Sequence, residues 1–89
     1  MILRALAASA GQRQLVLELR EVRERPWCSA TFTGVRLTLA LGVSGADPGA
    51  WLAALPDEDL PVPGRLVADV VVVAADGIGA TLEVLLLEA

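Results

Sequence analysis

Between Arg23 and Phe32 the chain reads RERPWCSATF, which sets its only cysteine beside two arginines and one of its two tryptophans. Guanidinium groups near a thiol favour the thiolate, the form that attacks electrophiles and binds metals. A catalytic cysteine also needs a base, and with no histidine in the chain only a carboxylate such as Glu24 lies near in sequence. Arginines are equally what a solvated hairpin end carries. The stretch therefore reads as a loop, Pro26-Trp27-Cys28, with Cys28 a structural or incidental thiol and Trp27 a large aromatic at the tip that either meets a partner or caps the core.

Other chemistry is excluded by counts. All seven basic residues are arginine and there is no histidine, so imidazole catalysis, histidine-liganded metal, Schiff-base lysine and the P-loop lysine are absent. The joint absence of Lys, Asn and Tyr, whose codons are AT-rich, reads as the mark of a GC-rich genome. The acidic run Asp57 to Asp59 lacks the alternating oxygen ligands and bidentate glutamate of a calcium loop. DGIG at 76–79 is a turn, because a dinucleotide motif needs a helix after its glycines and strand-like sequence follows. No catalytic residue, metal or cofactor is expected, and the chain reads as a non-enzyme.

One constellation remains that suits recognition. If residues 2–9 form a first strand, Arg4, Glu18 and Arg36 line up across three strands with Arg20 beside them. Three arginines around one carboxylate suit a carboxylate, a phosphate or an acidic segment; the alternative is cross-strand ion pairing on a wet sheet face. The net charge of −4 and three aromatic residues argue against nonspecific nucleic-acid binding.

These side chains have to be positioned by strands. Leu15, Leu17 and Leu19, and then Val35, Leu37, Leu39 and Leu41, recur at spacing two. Segment 13–25 also has a weaker helical reading, since Leu15, Leu19 and Val22 would share a helix face. A loop at 26–28 pairs Leu15 with Leu39, Leu17 with Leu37, Leu19 with Val35, Glu18 with Arg36 and Val22 with Phe32. Residues 2–9 read as strand, with helix as the competing form. In GADPGAWLAALP, Asp47 caps a short helix, Pro48 opens its first turn, and Trp51, Leu52 and Leu55 share its apolar face. Asp76-Gly77 then turns a hairpin that pairs Val73 with Ala80, Val71 with Leu82 and Val67 with Leu86. Its other face carries Leu66, Ala68, Val70, Val72, Leu85 and Leu87, so neither side looks solvated.

The expected fold is one mainly β domain over residues 1–89, about five antiparallel strands and one short helix in the order β-β-β-α-β-β. An open sheet, a sandwich or a small barrel with the element order of an OB-type fold would each satisfy it. Hydrophobic residues make up 55% of the chain, about 64% with the eight glycines added, against about 45–50% in an average domain. That excess, with Val70, Val72, Leu85, Leu87 and Trp27 as the expected contact residues, predicts a homo-oligomer, most simply a dimer. The expected role is a small interaction or assembly subunit, the alternative an anion- or single-strand-binding module on the arginine face. One cysteine forms no intrachain disulfide, which suits a reducing cytoplasm. ALAASAG imitates the end of a signal peptide, but the apolar run before it is short and interrupted by Arg4. No apolar stretch is long enough for a membrane helix.

Overall fold

The computed structural model describes residues 2–88 and shows four antiparallel strands and two short helices in the order α-β-β-α-β-β. Helix α1 spans Ile2–Gly11, strand β1 Val16–Cys28, β2 Thr33–Ser44, helix α2 Pro48–Ala54, β3 Arg65–Ala75 and β4 Gly79–Glu88. A 3-10 turn, Leu55–Asp57, continues α2. The sheet is open, with strand order β1-β2-β4-β3, so two hairpins meet along β2 and β4, and β1 and β3 form its edges. The expected fifth strand is absent among the described residues, because residues 2–9 take the helical form.

The reason lies in their composition. Alanine is the strongest helix former, and ILRALAASAG buries Ile2, Ala5, Leu6, Ser9 and Ala10, a spacing of three and four. Helix α2 forms where Asp47 and Pro48 direct it. The Asp47 carboxylate accepts a hydrogen bond from the Ala50 amide at 3.1 Å, and Trp51, Leu52 and Leu55 are buried.

Both helices lie on one face of the sheet. Their side chains Ile2, Leu6, Trp51 and Leu55 form one core with Leu37, Leu39, Leu41 and Val43 of β2, Val70 of β3, and Ala80, Leu82, Val84 and Leu86 of β4. A single chain of polar contacts crosses this layer. The Trp51 indole N–H donates to the Ser9 hydroxyl at 3.0 Å, and that hydroxyl donates to a Glu58 carboxylate oxygen at 3.2 Å. Ser9 thus ties α1 to α2 and to the segment after it, and it is the one buried polar residue among those described. Replacing Ser9 with Ala leaves the buried indole N–H unpaired and is expected to cost about 1–3 kcal/mol. Denaturant unfolding of Ser9→Ala checks this, with a midpoint equal to wild type as the contrary result.

Register departs from the sequence reading at both hairpins. The first turns at Ser29–Phe32, where the Ser29 amide donates to the Phe32 carbonyl at 2.8 Å and the Phe32 amide to the Ser29 hydroxyl at 3.1 Å. Pro26, Trp27 and Cys28 therefore belong to β1, opposite Val35, Gly34 and Thr33. Pro26 is admitted because β1 is an edge, where a missing N–H costs least. Leu17 faces Val43 and Leu19 faces Leu41, not Leu37 and Val35; Glu18 faces Gly42, and Val22 faces Leu39. In the second hairpin Val67 pairs with Leu86 as expected, but bulges at Ala68 and Val73 move the pairing to Val72 with Leu82 and Ala75 with Ala80. That shift carries Val70 and Val72 onto the helix-covered face and leaves Val71 on the other.

Candidate interaction surface

Among the described residues no element covers the second face of the sheet. Alternation along the paired strands sets its side chains in rows that run from β1 across β2 and β4 to β3. One row is Trp27, Gly34, Leu87, Leu66; the next is Arg25, Arg36, Leu85, Asp69. A third is Arg23, Thr38, Glu83, Val71, and a fourth Glu21, Ala40, Thr81, Ala74. Val71 is 44% exposed and Leu66 57%. Leu87 is only 7% exposed yet stands apart from the helix-side core, which marks it as buried on the open face itself.

Arg20 occupies the β1 bulge between Leu19 and Glu21 and lies across the sheet towards β4. Its guanidinium rests on Gly42 and Gly79. A Cβ at Gly42 would stand 2.9 Å from its Nη2, so a side chain there would displace the guanidinium, while at Gly79 a Cβ would run into the Leu41 backbone carbonyl first and stand 3.2 Å from the Arg20 Nη1. With Ala40, Ala74 and Thr81 it lines a shallow cleft of about 190 Å³ at the turn end of the face.

The expected row of Arg4, Glu18 and Arg36 is not formed. Arg4 is exposed on α1, off the sheet; Glu18 faces Gly42; Arg36 faces Arg25. Only Arg20 and Arg36, with Glu18 at the turn end, share the open face. Of the expected contact residues, Leu85, Leu87 and Trp27 lie on it, while Val70 is buried with Val84 under the helices and Val72 packs beside it. Trp27 is half-buried within a strand and is not at a loop tip.

Arg23, Arg25, Asp69, Glu83, Val71 and Leu66 complete the face. Alternation counted outward from the true turn at 29–32 places Arg25 and Arg23 there, and the bulge at Ala68 places Asp69. The one ion pair among the described residues joins Arg23 Nε to Glu21 at 3.1 Å, both exposed, so it contributes little to stability. Arg25 and Arg36 stand directly opposite each other, and among the described residues no carboxylate forms an ion pair with either, an arrangement that is unfavourable in an isolated sheet.

Among the described residues no group of three His, Cys, Asp or Glu is placed to hold a metal ion. Cys28 is exposed and forms no disulfide. No described helix is long and apolar enough to cross a membrane. The structure thus defines a two-layer α-β domain with helices on one sheet face and the other uncovered. Protein-family models, curated proteins and solved structures contain no match to the chain.

Proposed function

We propose that the protein is a non-enzymatic assembly or interaction subunit of the cytoplasm that self-associates as a homodimer through the open sheet face. The observation that carries this is the apolar content of that face. Leu66 and Val71 are exposed and Leu85 half-buried on a side no helix covers, next to Leu87 and Trp27. A second sheet stacked on it, about 10 Å away, would remove these groups from water. An unpaired thiol suits a reducing compartment.

Association of folded protomers adds to apparent stability by mass action. The midpoint of thermal unfolding should therefore rise steadily as protein concentration is raised 100-fold, a range chosen to span a micromolar dissociation constant. A midpoint independent of concentration would contradict self-association.

A second reading is favoured by Arg25 and Arg36, which face each other without an ion pair among the described residues, with Arg20 on the same face. These cations suit an anionic ligand or a single-stranded nucleic acid. It predicts that the protein binds polyphosphate or an oligonucleotide at low salt, and that Arg25→Ala and Arg36→Ala each weaken the binding. No binding at about 50 mM salt would remove this reading.

A further inference from the structure

The charges of the open face are divided by side. On β1 and β2 it carries Arg20, Arg23, Arg25 and Arg36 against Glu18 and Glu21, four positive less two negative, an excess of two positive. On β4 and β3 it carries only Glu83 and Asp69, an excess of two negative. The face as a whole is neutral and polarised across the strands. Resting on the reading of this face as a self-association surface, we infer that two copies stack face to face about a two-fold axis running along the strands, pairing Arg25 of each with Asp69 of the other.

The geometry follows from the rows. A two-fold axis along the strands exchanges left and right without moving a residue along the sheet, so β1 lies over the partner's β3 and β2 over its β4. The row Arg25, Arg36, Leu85, Asp69 then meets its own reverse: Arg25 opposes Asp69, and the Arg36 stem lies over Leu85. Thr38 opposes Glu83, Arg23 opposes Val71, and Trp27 opposes Leu66. An in-plane axis across the strands would instead set the arginine side against itself. Strand directions stay aligned, as in sheet-on-sheet packing.

The area is sufficient. Four strands at about 4.8 Å and ten residues at about 3.4 Å each give a face on the order of 600 Å² per protomer. The pair exceeds the total of about 1,000 Å² that a specific interface requires. One like-charge approach opposes it, since the two Arg20 groups near the axis face each other at the turn end; two Arg25–Asp69 pairs offset this.

Charge exchange tests the pairing. Arg25→Glu sets a carboxylate against Asp69 at both contacts, and Asp69→Arg sets two guanidinium groups together. Each single variant should self-associate at least about tenfold more weakly than wild type. An equimolar mixture of the two should form a heterodimer of near wild-type affinity, because both contacts are then Arg–Asp or Glu–Arg. The doubly exchanged chain, R25E/D69R, should dimerise as well. Should a single exchange unfold the chain, R25Q and D69N replace it, each weakening association about threefold. If wild type dimerises but the mixture and the doubly exchanged chain do not, or the single variants match wild type, this arrangement is overturned while self-association stands. A monomeric wild type overturns the reading beneath it.

Discussion

Replacing Trp51 with Ala should cost about 3–5 kcal/mol of stability, a large part of the 5–15 kcal/mol typical of a small domain. Trp51 is fully buried where both helices meet the sheet, beside Ile2, Leu6 and Leu55, which are as deeply enclosed. Truncation leaves a void that two short helices have little means to fill. It also removes the donor that holds the Ser9 hydroxyl between α1 and α2. At about 4–8 °C per kcal/mol for a domain of this size, the melting temperature should fall by at least about 12 °C, to the point where part of the chain is unfolded near 37 °C. Trp51→Phe should cost less, since it keeps most of the volume and leaves Ser9 bonded to Glu58. An Ala variant melting within a few degrees of wild type would mean that the helix layer is not held as described.

The second large effect concerns association, with the fold unchanged. Val71 and Leu85 lie on the open face, outside the helix-side core, so Val71→Glu with Leu85→Glu should give a folded monomer. Each side chain is lost twice per dimer. At about 1 kcal/mol for each partly buried group the loss is about 4 kcal/mol, roughly 10³-fold in dissociation constant. Circular dichroism should show wild-type sheet content, and sedimentation a single small species. Leu87 is the poorer position for this test, because it is already buried within one chain and a charge there would also strain the fold. Retention of the wild-type association state by the double variant would place any interface elsewhere.

Parts of this architecture were legible in the sequence for definite reasons. Asp47, Pro48 and the spacing of Trp51, Leu52 and Leu55 specify α2 locally, because cap, first-turn proline and apolar stripe agree. The odd-numbered leucines of β2 form the core face as alternation requires, and Leu15 and Leu17 share it, since the true and expected registers differ by an even number there. The bulges were not legible. Each adds a residue without changing composition, so VVVV at 70–73 gives no sign that Val72 and Val70 point inward while Val73 is set aside. The first turn was hidden for another reason: it depends on the Ser29 hydroxyl, a weaker signal than Pro26, which sits instead on an exposed edge. The arginine row does not form for two reasons: the turn at 29–32 shifts the β1–β2 register, so that Glu18 faces Gly42 and Arg36 faces Arg25, and the segment that holds Arg4 is a helix. An alanine-rich segment beginning Ile2, Ala5, Leu6 favours helix over period-two strand, and Arg4 went with it.

The most direct test of the central claim is the molar mass of the wild-type protein by light scattering at micromolar concentration. A face-to-face dimer predicts twice the 9.3 kDa of one chain, with the mass falling towards one chain on dilution. A mass of 9.3 kDa that does not change with concentration would contradict it, and would leave the open face to a partner of another kind.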